Sequence, residues 1–374
     1  MHARVKRVCM HHNATLTAGV ARAGRRMMET KCAFGTASSP STSSSSNANL
    51  PVSETVPIST SSSSSSSLVA LGRKKKKRFP TLRPDDFRHP LDRQNTSLLR
   101  AVPGLQQLTR FAMGPITEEL MVFDNVASSI LVSAEQLPAM HRLLEQACRV
   151  LAVSEPPELY IKQSPSVNAY TLAVEGRKPF IVLHTALVEL LNEKELQAVI
   201  AHELSHIKCD HGTWLTCANL VLMSVNVLPF GGALSRRIED GLLSWYRAAE
   251  LTCDRGALLV TQDHLVVISA MMKMAGGTKA IADNLNVDAF LAQARILERN
   301  SASSPLGWWV ANSRSRAMTH PVPVLRAREV DKWAASAEYK KIVRNGRDDE
   351  DYAAELIPPS PSSSSTPSAA ASSS

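Results

Sequence analysis

The pentapeptide HELSH, from His202 to His206, sets two imidazoles four residues apart with a carboxylate beside the first. On a helix, residues at this spacing project from one face, so His202 and His206 can reach one zinc ion. Glu203 can then stand against a water on that ion and take its proton as the water adds to a carbonyl. The chemistry this predicts is metal-assisted hydrolysis of an amide bond.

A catalytic zinc takes three protein donors and leaves one position for water. The extended motif HExxHxxGxxH would supply a third histidine, and this sequence departs from it: Cys209 stands in the glycine position, Gly212 in the histidine position, and His211 falls one residue short. A glutamate on a second helix is the other route. The run RAAELTCDRGALL offers Glu250 as that ligand and, one turn further, Asp254, placed to accept the outer N–H of a zinc-bound histidine and fix its tautomer. Two carboxylates four apart usually line a solvated face, but Ala248, Ala249, Leu251, Ala257, Leu258 and Leu259 make this segment too apolar for one. Cys209 and Cys253 are soft enough to bind zinc. We set them aside because the two histidines with Glu250 already complete an open catalytic set.

These side chains need a frame. Asn192 can cap a helix whose third residue is Glu195, and Leu196, Val199, Ile200, Leu204 and Ile207 recur at helical spacing, so the HELSH helix is expected to bury one face. Three β-rich runs precede it, at 159–163, 168–174 and 180–183, with a turn at Glu175 and Gly176. They predict a small sheet. Its edge is assigned to 168–171, where Asn168, Ala169 and Tyr170 are the expected substrate-binding residues, pairing their backbone with an extended chain. Residues 96–150 read as mostly helical, with one helix over 134–150, and a later helix is expected over 287–299. Trp308 and Trp309 read as core packing.

HExxH followed tens of residues later by ExxxD is the pattern of gluzincin peptidases. The strings NAY, AHELSH, AAELTCDR and THP together resemble the HtpX-like and CAAX-prenyl-protease family of zinc metallopeptidases, over residues 159 to 333 or so. Within it, the runs VNAYTLAVEGRKPFIVLHT, KELQAVIAHELSHIKCDHG, RAAELTCDRGALL and VPVLRAREVD are similar to the plastid, plastoglobule-type branch. The resemblance implies an α+β, zincin-type fold, mostly helical, with a small mixed sheet beside the HExxH helix. It also implies one zinc ion per subunit, bound by His202, His206 and Glu250, with Glu203 as general base and then general acid, and Asp254 as the partner of His202. His320, in THP, would stabilise the oxyanion of the tetrahedral intermediate.

Charge is unevenly placed along the chain. The net charge is +8, yet residues 1–90 hold 15 Lys and Arg against 4 Asp and Glu, leaving 27 basic and 30 acidic residues in the rest. A basic leader on a faintly acidic body argues against nucleic acid as a partner. The leader is rich in Arg and Ser, poor in acid, and includes the homopolymer from Ser61 to Ser67, so residues 1–78 read as an organelle transit peptide. The resemblance points it to the chloroplast, at a plastoglobule or thylakoid, with the mitochondrion as the alternative. The run RKKKKR at 73–78 could also serve as a nuclear localisation signal. Residues 79–356 would form the peptidase domain, and 357–374 a disordered Pro, Ser and Ala tail.

The apolar run 214–230 would extend about 26 Å as a helix, short of a bilayer core of about 30 Å, and it contains Asn219, Asn226 and Pro229. We read it as a buried or membrane-surface helix, which makes a peripheral membrane or lipid-body surface a second expected partner beside a protein or polypeptide substrate. Cys148, Cys209, Cys217 and Cys253 show no disulfide-framework spacing and are expected to be reduced. Two other classes stay open: a non-catalytic scaffold in which zinc serves folding alone, and a membrane-embedded prenyl-protein protease.

Overall fold

The computed structural model describes residues 76–105, 107, 123–173, 178–227, 232–303 and 322–349. Strand β1 (Lys77–Arg78) is the end of the basic run that the sequence reading assigned to the leader, and it belongs to the folded body. Lys76 beside it donates to the Gln197 side chain at 2.9 Å. Helices α1 (Pro84–Phe87) and α2 (Pro90–Arg100) both begin on a proline, whose missing N–H costs nothing at a first helical position. Arg88, just after α1, and Asp92 of α2 are both fully buried.

Strand β2 (Ser129–Leu131) corrects the helical expectation for 96–150, because its backbone pairs antiparallel with a later strand and that ladder outweighs local preference. Helix α3 (Pro138–Leu151) starts four residues later than predicted. Proline sits at its first position and Leu137 before it is left-handed, at φ 63°, which ends any continuation upstream. Strands β3 (Glu158–Lys162), β4 (Ala169–Leu172) and β5 (Phe180–His184) follow. The sheet order is β2–β3–β5–β4, parallel between β3 and β5 and antiparallel elsewhere. Among the described residues β4 is therefore an edge, in the register Ala169 to Leu183 and Leu172 to Phe180. The expected turn at Glu175 and Gly176 lies outside the described residues.

After the short helix α4 (Thr185–Leu190), α5 (Glu193–Lys208) carries HELSH. Its start is the predicted capping box. Asn192 Oδ1 accepts from the Glu195 N–H at 3.0 Å, and the Glu195 carboxylate accepts from the Asn192 N–H at 2.9 Å. Ser269 and Lys273 donate to the same carboxylate at 2.6 and 2.9 Å, tying the cap to a neighbouring helix. Every residue from Glu195 to His206 is buried, so this is a central helix closed on all sides rather than an amphipathic one.

The rest of the chain wraps it. Helices α6 (His211–Val227), α7 (Gly232–Thr261), α8 (His264–Gly276), α9 (Val287–Ser303), α10 (Pro323–Ala335) and α11 (Ala337–Asn345) lead to β6 (Arg347–Asp348), which pairs with β1. The result is the α+β architecture expected: mostly helical, with a small mixed sheet beside the HExxH helix. The dominant helix contact is α5 on α7. Gly256 allows it, since a Cβ there would lie 1.9 Å from Ser205 Oγ. Helix α6 is the apolar run. It packs Trp214, Leu215 and Cys217 against Leu242, Trp245 and Ala249 of α7, and among the described residues no helix is long and apolar enough to cross a membrane.

Candidate metal centre

Helix α5 presents His202 and His206 from one face with their Nε2 atoms 3.3 Å apart. Helix α7 brings Glu250 against both, one oxygen 3.5 Å from His202 Nε2 and the other 3.4 Å from His206 Nε2. Two buried imidazoles and a buried carboxylate thus converge on one point. One turn along α7, Asp254 Oδ1 lies 3.0 Å from His202 Nδ1, the ring nitrogen facing away from that point. Glu203 is fully buried beside the pair, and its Oε2 accepts from the Thr171 hydroxyl at 2.8 Å. Strand β4 therefore orients this carboxylate, a role that helix periodicity could not reveal.

Arg326 of α10 is a functional neighbour that the sequence reading missed. Its Nε and Nη2 grip the two Asp254 oxygens at 2.9 and 2.6 Å, and its Nη1 lies 3.3 Å from Glu250. This is a bidentate fork on a buried carboxylate. Burial alone would raise the Asp254 carboxyl, but the Arg326 charge and its hydrogen bonds hold it below the usual range. His202 responds to the same group. Burial pushes its imidazole down, hydrogen bonds and charge from Asp254 and Glu250 outweigh that, and the ring is lifted to about 9.

His206 sits differently. Its Nδ1 lies 3.0 Å from His211 Nδ1, and His211 Nε2 lies 3.0 Å from Asp92 Oδ2. Asp92 also accepts from Trp245 Nε1 and from Thr252 Oγ1, each at 2.8 Å. Burial dominates at His206 and pushes its imidazole down to about 3, because the Glu250 contact does not outweigh it.

Cys253 stands within 4.8 Å of donor atoms on His202 and His206 and so competes with Glu250 as third ligand. Glu250 approaches the Nε2 edge of both rings. The Cys253 sulfur lies 3.5 Å from His211 Nδ1, and that same nitrogen contacts the Nδ1 edge of His206. All four described cysteines are buried, and burial pushes the Cys209 thiol up to about 12.

A cavity of about 260 Å³ opens beside His202. Its walls include Asn168, Val199, Val267, Met271 and Met274, with Asp254 and Arg326 at the metal end. Of the predicted edge residues, Asn168 lines this cavity and its carbonyl accepts from the His184 N–H at 3.0 Å. Ala169 is buried in the main core, and half-buried Tyr170 stacks edgewise on His184. His320, Trp308 and Trp309 lie outside the described residues.

A family model described as Peptidase family M48 matches residues 134–334. The plastoglobule-localized metallopeptidase 48, chloroplastic, of Arabidopsis thaliana is 55% identical over 267 residues, covering 71% of this chain and 77% of that protein. Protease HtpX homolog 2 of Methanosarcina acetivorans is 29% identical over 171 residues, covering 39% of this chain and 58% of the relative, so the chain spans under two thirds of that protein's length. The crystal structure of S. mikatae Ste24p overlaps with a TM-score of 0.33 at 16% identity, covering 65% of this chain and 62% of that one. The matched family span contains both histidines of the α5 pair, and the chain belongs to peptidase family M48 as a metallopeptidase.

Proposed function

We propose that this metallopeptidase is a zinc-dependent endopeptidase acting on protein substrates in the chloroplast. Zinc would be held by His202, His206 and Glu250, and the convergence of two imidazole nitrogens and a carboxylate within 3.5 Å of one another carries the reading. Such a set leaves room for water in a catalytic site. When bound there, zinc lowers the pKa of a water toward about 7 and polarises the scissile carbonyl. Glu203 takes the water proton and hands it to the leaving amine, and the Thr171 hydroxyl keeps that carboxylate in place for both transfers. Asp254 accepts the His202 Nδ1–H, which leaves the Nε2 lone pair for the metal. His320 is proposed as the donor to the oxyanion.

Strand β4 supports the choice of an extended polypeptide substrate. As an edge beside α5 it can add a substrate strand through main-chain hydrogen bonds, with Asn168, Ala169 and Tyr170 as the pairing segment. The cavity beside His202 would receive an apolar side chain between Val267, Met271 and Met274. The chloroplast setting, at a plastoglobule or thylakoid surface, rests on the name of the Arabidopsis thaliana relative and on the acid-poor leader.

The test is casein cleavage by the full chain, wild type against Glu203→Gln, with zinc content measured on both. The glutamine variant should keep one zinc per chain and lose cleavage by about a hundredfold or more. Undiminished cleavage would remove Glu203 from the role of base. Zinc in both proteins with cleavage by neither would favour the scaffold.

A further inference from the structure

We propose that His211 and Asp92 are positioning residues for the metal site, holding His206 in the tautomer that leaves its Nε2 lone pair for zinc. The inference rests on the zinc site proposed above. A zinc ligand that donates its Nε2 lone pair must carry its proton on Nδ1, and a buried N–H needs an acceptor. For His206 the group 3.0 Å from Nδ1 is His211 Nδ1. His211 can accept there only if its own proton is on Nε2, and Nε2 points at Asp92 Oδ2, also at 3.0 Å. One anion at the end thus sets the protons on both rings.

Asp92 is built to remain that anion. It is fully buried, it accepts from Trp245 and Thr252, and Arg88 Nη1 lies 3.4 Å away. Arg88 in turn holds Thr96 and the Cys209 carbonyl. The elements that meet here are α2, α6 and α7, together with the C-terminal end of α5. The alternative is that His211 is a core histidine whose only role is packing.

Zinc affinity of the full chain, measured by chelator competition, separates the two. His211→Leu keeps an apolar body and removes both the acceptor and the donor, whereas His211→Gln keeps one of each. The leucine variant should lose about 10–100-fold in zinc affinity, and the glutamine variant should recover most of that loss. Leucine and wild type binding zinc alike would overturn the proposal. So would equal losses in both variants with native circular dichroism. Should the leucine variant not fold, imidazole nitrogen NMR of the zinc-loaded wild type decides instead: His211 protonated on Nε2 supports the relay, and His211 protonated on Nδ1 overturns it. A wild type that takes up no zinc would instead count against the site itself.

Discussion

His202 and His206 leave the same face of one helix, yet the protein holds them in opposite ways. His202 borders the cavity and meets a carboxylate directly, Asp254 at 3.0 Å, itself clamped by Arg326. His206 shares Glu250 with His202, but its Nδ1 meets a second imidazole, with Asp92 one ring further away. A carboxylate of its own stabilises the His202 imidazolium, whereas at His206 burial outweighs the Glu250 contact. Their protons accordingly move apart, His202 up to about 9 and His206 down to about 3. Both arrangements can fix a tautomer. The difference is that the side facing the cavity relies on ion pairing and the side facing the core on a chain of hydrogen bonds.

The severest test of this contrast is Arg326→Met. It strips the cation from two buried carboxylates, Asp254 and Glu250, and should cost about 3–5 kcal/mol of stability in the chelated protein by urea unfolding. Zinc should restore part of this, because it supplies positive charge beside Glu250. A loss below about 1 kcal/mol would mean that charge does not brace the His202 side. On the other side, Thr252→Val removes one of several donors to Asp92 at nearly constant volume. The expected cost is about 1–3 kcal/mol, with zinc affinity retained because His211 still meets Asp92. A loss matching that of Arg326→Met would erase the distinction.

The effect that is smallest per step lies in pH, at up to about 1.4 kcal/mol per unit. A metal ligand must be deprotonated, and His202 is the ring that carries the extra proton, so zinc affinity should rise by up to about tenfold per pH unit between pH 7 and about 9, then level off. Stability of the chelated protein should move the other way. The His202 pKa is raised above its unfolded value, so its contribution is present in full below about pH 6.5 and is lost as pH climbs through about 9. Zinc affinity that does not change across this range would break the comparison.

What the sequence by itself determined was local. The Asn192 and Glu195 cap, the i, i+4 histidines, and Glu250 with Asp254 one turn apart all depend on spacing within single helices, and helical geometry carries such spacing unchanged into the fold. The edge position of β4 was legible as well, from a β-rich run placed just before the active helix. The helix start at Pro138 could have been read from proline's preference for a first helical position, and was not. Other features were decided only by tertiary structure. Asp92 lies 119 residues from His211 in sequence, and Arg326 lies 72 from Asp254. In sequence each is one charge on a helix, where solvent exposure is the ordinary outcome. Strand β2 exists because β3 offers it a backbone ladder. Gly256 matters because Ser205 of another helix stands where its Cβ would be. Periodicity identifies the side chains that share a face of one element. The partner that meets that face, and so the tautomer and charge of what it carries, is settled only when distant segments pack together.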